Sequence, residues 1–152
     1  MGLDMYFSAK INLNSYDNQK VMDSVVDVFP FIEKDTVDGI CVDITLGYWR
    51  KANAIHNWFV KNVQDGIDEC QKAFVERHHV VELLSVVNAA LNNRELAATL
   101  LPPTSGFFFG STELDEYYWG DIEHTKKVLE NALKVLDNGR AYNVALFYQS
   151  SW

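Results

Sequence analysis

Basic residues, cysteines, prolines and long apolar runs are all scarce in this chain. Thirteen Lys and Arg stand against twenty-one Asp and Glu, a formal net charge of −8, which repels a polyanion at long range. Duplex DNA or RNA is thereby a poor partner, because such binding draws most of its affinity from neutralised phosphates. A small anion is still allowed, since one or two converging cations suffice for it. The two cysteines, Cys41 and Cys70, lie far apart and belong to no C-x-x-C or Cys/His cluster. That argues against a disulfide framework or a zinc site and for free thiols in a reducing compartment. No apolar run approaches the ~18 residues of a membrane span. No basic-then-apolar leader opens the sequence, and Gly2 lacks the Ser or Thr that myristoylation requires further on. The expectation is a cytoplasmic protein with no membrane partner.

Catalytic signatures are missing too. There is no G-x-S-x-G, no P-loop and no H-E-x-x-H. His78 and His79 are neighbours that would face about 100° apart on a helix, so they do not chelate together easily. The acidic residues between Glu113 and Glu123 follow no calcium-loop spacing. No catalytic residue, metal or cofactor is assigned on these grounds.

What is present is aromatic: 13% of 152 residues are Phe, Trp or Tyr, within 48% hydrophobic overall. A chain of this length supports one sizeable core. Leu3, Met5, Phe7, Ala9, Ile11 and Leu13 alternate with polar neighbours, the period of a half-buried strand. After a turn at "NSYDN", the segment "VMDSVVDVFPFIEKD" is either a short helix or an irregular excursion, stopped at Pro30. Ile40, Val42, Ile44 and Leu46 read as a second strand, ended by Gly47. A helix over 51–63 follows, with Ala52, Ile55, Phe59 and Val63 on its inner face. A third short strand is expected at "CQKAFV", then a helix through "VVELLSVVNAALNN" and a turn in "RELAATLLPP". "SGFFFG" reads as a buried strand, "DIEHTKKVLENALKVLDNG" as a helix with i,i+4 pairs Glu123–Lys127 and Glu130–Lys134, and Tyr142, Val144, Leu146 and Tyr148 as a last strand. This order predicts a single α+β domain over 1–152, a mixed or mainly antiparallel sheet of about five strands with about three helices packed on it.

Two stretches concentrate chemistry. In "GYWRKANAIHNWF", 47–59, a helical wheel begun at Arg50 places Asn53 and Asn57 beside it, with His56 at the border. Arg50 and Lys51 suit phosphate, Tyr48 or Trp49 can stack on a flat ring, and Asn53, His56 and Asn57 can fix polar edges. A bland alternative makes Trp49, Trp58 and Phe59 core and pairs the cations with carboxylates. In "GSTELDEYYWGDIEHT", 110–125, Ser111, Thr112, Glu113, Tyr117 and Tyr118 could form a loop closing over a ligand, or a solvated loop leading into a helix. The terminal "FYQSSW" suggests Trp152 packed between helix and sheet or against a second subunit.

These blocks, together with "MGLDMY" at the start, resemble the signature blocks of a family of small proteins from tailed bacteriophages and prophages. The resemblance spans the chain, with departures at Leu114, Trp119 and Ser150. It implies a phage product in the cytoplasm of a bacterial host, of a size used for host takeover or anti-defence. The leading expectation is a binder of a small nucleotide-like ligand that sequesters an immune signal without chemistry. The alternative is an inhibitor that binds a host protein, such as a defence protein. A third reading is a nucleotide-degrading enzyme using His56 or His124 as base. The aromatic content also allows a homodimer or larger assembly.

Overall fold

The computed structural model describes residues 2–14, 18–139 and 143–152. Four antiparallel strands, β1 (Asp4–Asn14), β2 (Gly39–Arg50), β3 (Ala73–Val75) and β4 (Asn143–Ser151), form one sheet in the order β2-β1-β4-β3. Five α-helices accompany it: α1 (Gln19–Val28), α2 (Asn53–Val63), α3 (Arg77–Asn92), α4 (Ala97–Leu100) and α5 (Glu116–Asn138). The architecture is α+β, with one strand fewer and two helices more than the sequence pattern predicts.

The alternation of β1 sets the layer. Met5, Phe7 and Ala9 point into the core while Tyr6, Ser8 and Lys10 stay on the open face. Their cross-strand neighbours Trp49, Tyr148 and Leu146 share the inner face, and Tyr148 stacks on Phe59 of α2 at 4.0 Å. On α3, Val80, Leu83, Val87 and Ala90 are buried at helical spacing, and on α5 so are Ile122, Val128, Leu129 and Ala132. Among the described residues the i,i+4 ion pair within α5 is Lys126–Glu130, at 4.0 Å, rather than the two pairs expected, and Asp137 pairs with Arg77 of α3 at 3.3 Å.

Three local expectations are corrected. Gly47 does not end β2: Phe7 opposes Gly47 while Ser8 opposes Thr45, a bulge that inserts Leu46 and carries the strand on to Arg50. Gly47 serves the packing instead, since a Cβ there would meet Val128 at 2.6 Å. "SGFFFG" is not a strand. Phe109 N–H closes a turn on Gly106 O at 3.2 Å, Phe107 is 94% exposed, and no ladder forms, because the glycines and the preceding Pro102–Pro103 turn the chain across the start of α2. The last helix begins at Glu116, five residues before the expected start at Asp121, because Asp115 caps it by accepting from Tyr118 N–H at 3.0 Å. Tyr142 and part of the "NSYDN" turn lie outside the described residues. Among the described residues no helix is long and apolar enough to cross a membrane.

Candidate functional site

The end of β2 and the start of α2 are joined by a two-residue turn that requires an unusual backbone. Lys51 sits in the left-handed region at φ 64°, its N–H donating to Leu3 O at 2.8 Å and its carbonyl accepting from Asn53 N–H at 2.8 Å. A non-glycine residue held there costs roughly 1–2 kcal/mol, and such outliers gather at ligand sites. Gly110, itself at φ 83°, packs against the Lys51 stem, where a Cβ would approach at 3.1 Å. Ala52 offers α2 no side-chain cap. The N–H groups of Ala54 and Ile55 have no acceptor among the described residues, so the positive end of the α2 dipole is open.

Asn53 holds the facing loop. Its Nδ2 donates to Phe109 O at 2.9 Å and to Ser111 O at 2.8 Å, and its Oδ1 accepts from Thr104 N–H at 2.9 Å. The amide is buried and fully engaged. Between this loop, the turn and the first two turns of α5 lies a cavity of about 350 Å³. The β2–α2 side contributes Arg50 to Ile55, the loop contributes Gly110, Ser111, Glu113 and Asp115, and α5 contributes Tyr117, Tyr118, Asp121 and Ile122.

Two stretches some sixty residues apart in sequence thus meet at one cavity. Arg50 is exposed and held loosely, its Nε 3.9 Å from Asp4 Oδ1, a pair of the weak surface kind. Tyr117 is 84% exposed at the rim, whereas Tyr118 is buried and donates to Leu101 O at 2.9 Å; burial pushes its phenol up to about 12. Trp119 turns a third way, under the Arg94 guanidinium at 4.4 Å. Burial, with the charge of Asp115 behind it, pushes the Asp121 carboxyl up to about 6. Ser111 lines the cavity with its Oγ accepting from Glu113 N–H at 3.1 Å, and Thr112 lies outside the lining.

The rest of the expected site is elsewhere. Trp49 cannot stack on a ligand: it is buried, with Nε1–H donating to Thr125 Oγ1 at 2.9 Å. Tyr48 stands on the open sheet face against Tyr6, its hydroxyl donating to Asp4, which raises its pKa. His56 is 1% exposed, with Nδ1 2.7 Å from Tyr148 Oη and Nε2 2.9 Å from Asp68 Oδ2. Burial raises the Tyr148 phenol well above its ordinary range. The Asp68 carboxylate only accepts, so Nε2–H donates to it, and in that tautomer Nδ1 accepts from the Tyr148 hydroxyl. Asn57 is half-buried and does not line the cavity. Trp152 is partly exposed and donates to Asp68 Oδ1 at 3.2 Å, which ties the end of the chain to the same network rather than to a gap between helix and sheet. The polar strip of the wheel does not exist, because Arg50 is a strand residue and Lys51 re-aims the chain before the helix begins.

Among the described residues no three His, Cys, Asp or Glu side chains gather so as to hold a metal ion. Sequence reading missed Asp121, the carboxylate inside the cavity; its i,i+4 spacing from Tyr117 was the available signal. Compared with protein-family models, with curated proteins and with solved structures, the chain matches none.

Proposed function

We propose that the protein is a phage-encoded binder of a small nucleotide-type molecule, which it sequesters as an immune signal in the cytoplasm of the bacterial host without cleaving it. The observation that carries this reading is the meeting of Arg50, Lys51 and the open α2 terminus with the exposed Tyr117 ring around one cavity. Two cations and unpaired amide N–H groups receive an anion, and a phenol ring at the rim receives a flat one. At about 350 Å³ the cavity is at the small end of the ligand-site range of roughly 300–1,000 Å³, so it suits a mononucleotide or one half of a larger signal. The two histidines that a nucleotide-degrading enzyme would use as base, His56 and His124, lie outside the cavity lining, with His124 Nε2 3.1 Å from Tyr48 O at the sheet edge.

The test is a thermal shift against mononucleotides, cyclic dinucleotides and ADP-ribose derivatives, followed by mass analysis of the ligand after denaturation. A ligand at about 100 times its Kd adds roughly 2.7 kcal/mol of stability, and Arg50→Ala with Lys51→Ala should abolish that gain. No shift with any compound refutes the reading, and a cleaved product replaces sequestration with catalysis.

A second reading, an inhibitor that docks on a host protein, is favoured by the segment after α1. Phe29 and Phe31 are exposed, the latter at 81%, as is Val28 at the end of α1, and exposed carboxylates at Asp27, Glu33, Asp35 and Asp38 flank them in sequence. Exposed aromatic anchors with an acidic rim fit a basic partner.

A further inference from the structure

The Asp121 carboxylate is the unexplained group of the cavity. It is half-buried and lines the wall, yet among the described residues no donor reaches it. Its neighbour Asp115 is occupied in capping α5, and Glu113 is exposed. Withdrawing a carboxylate from water without supplying a donor is costly, and the raised pKa, up to about 6, reflects that cost. Asp121 follows Tyr117 by one helical turn, so the two side chains stack along one face of α5, the ring at the rim and the carboxylate deeper. Arg50 and Lys51 enter the same cavity from the β2–α2 turn.

A ligand seated against the cations and the Tyr117 ring would therefore bring a donor to Asp121. The lining sets three carboxylates, Glu113, Asp115 and Asp121, against Arg50 and Lys51, so charge alone admits a hydroxyl or an ammonium. The nucleotide of the reading above supplies the hydroxyl, a pair of them on the sugar that joins ring to phosphate. We propose that the cavity selects ribonucleotides over deoxyribonucleotides, with Asp121 accepting from the ribose 2′-hydroxyl. This rests on the binding reading above and adds to it a choice of sugar.

The experiment is titration calorimetry of the full chain at pH 8, where Asp121 is ionised, with the four 5′-ribonucleoside monophosphates and their 2′-deoxy counterparts, against wild type and Asp121→Asn. A hydrogen bond to an ionised group is worth about a ten-fold difference or more in affinity. At least one ribonucleotide should bind wild type ten-fold or more tightly than its deoxy counterpart, and Asp121→Asn should erase that ratio. Equal binding of both sugars by wild type overturns the assignment and leaves the anion-and-ring reading standing. An equal loss of both sugars in Asp121→Asn also overturns it, since Asp121 would then only shape the wall. Failure of every monophosphate to bind at millimolar concentration overturns the mononucleotide reading together with it. The sugar comparison on wild type needs no variant to fold.

Discussion

Replacing Asn53 by Asp and by Ala should separate a structural amide from a ligand-reading one. The side chain makes three hydrogen bonds to the 104–111 loop, at 2.8–2.9 Å, two as donor and one as acceptor. At about 1 kcal/mol net for each, Asn53→Ala should cost about 3 kcal/mol, or roughly 6–12 °C in melting temperature for a domain of this size. Asn53→Asp keeps the acceptor for Thr104 N–H but turns a carboxylate oxygen toward the carbonyls of Phe109 and Ser111. It should cost about 1–2 kcal/mol more than Ala at pH 7, the scale of a buried polar group left unsatisfied. Ionisation is disfavoured in the folded state, so the folded pKa of the new carboxyl is raised above its unfolded value of about 3.9. Stability is then fully present below that unfolded value and lost as pH rises through the folded one. Urea unfolding of the two variants at pH 4 and pH 8 measures this. The Asp deficit should shrink at pH 4, where a protonated carboxyl can donate to one carbonyl, while the Ala deficit stays put. An Asp variant within about 0.5 kcal/mol of wild type at pH 8, or one with no pH dependence, would show that Asn53 does not hold the loop.

Further outcomes follow from the same geometry. Lys51→Gly removes left-handed strain of roughly 1–2 kcal/mol and adds about 0.5–1 kcal/mol of chain entropy on folding, so urea melts should show unchanged or slightly higher stability while nucleotide affinity falls; a loss above about 1 kcal/mol contradicts the strain argument. For Asp121, whose folded pKa is raised from 3.8 to about 6, the stabilising contribution is complete below pH ~4 and lost as pH rises through ~6. Asp121→Asn should therefore gain on wild type between those values, by well under ~3 kcal/mol because solvent screens the partly exposed carboxyl, and parallel stability curves from pH 3.5 to 8 would refute the shift. Gly47→Ala drives a Cβ into Val128 and should cost about 1–3 kcal/mol by overpacking. Adding Val128→Ala should cost less than the two single changes summed, which a double-mutant cycle reads directly.

Much of the core was legible because period alone determines it. The alternation in β1 and the stripes of α3 and α5 fall where spacing places them, and Ala52, Ile55 and Phe59 are buried as the wheel requires. The site was legible only in part. Arg50, Lys51, Asn53, Ser111, Glu113, Tyr117 and Tyr118 line the cavity, but His56 and Asn57 do not, because the wheel that grouped them with Arg50 assumed that the helix had already begun. Whether a strand continues through Gly47 depends on Val128, eighty-one residues away in sequence, and no local pattern contains that contact. The Phe107–Phe109 run misled for a related reason. Apolar content invites a strand, yet a strand also needs a ladder partner, and the Asn53 amide holds this segment in a turn instead.

The pairing of β1 with β4 joins Asp4 to Ser151 and Asn12 to Asn143 in the middle of the sheet. The chain must therefore be synthesised as far as Ser151 before the whole central ladder can close. Contacts of such long sequence separation slow folding, and until β4 emerges, β1 has an open edge beside the β1–β2 hairpin. A chain terminated before Asn143 would lack the strand that pairs with β1 along its length. It would expose the Met5, Phe7 and Ala9 row to whatever chaperone or protease meets it first, so stop codons before Asn143 should behave as complete losses in a cell.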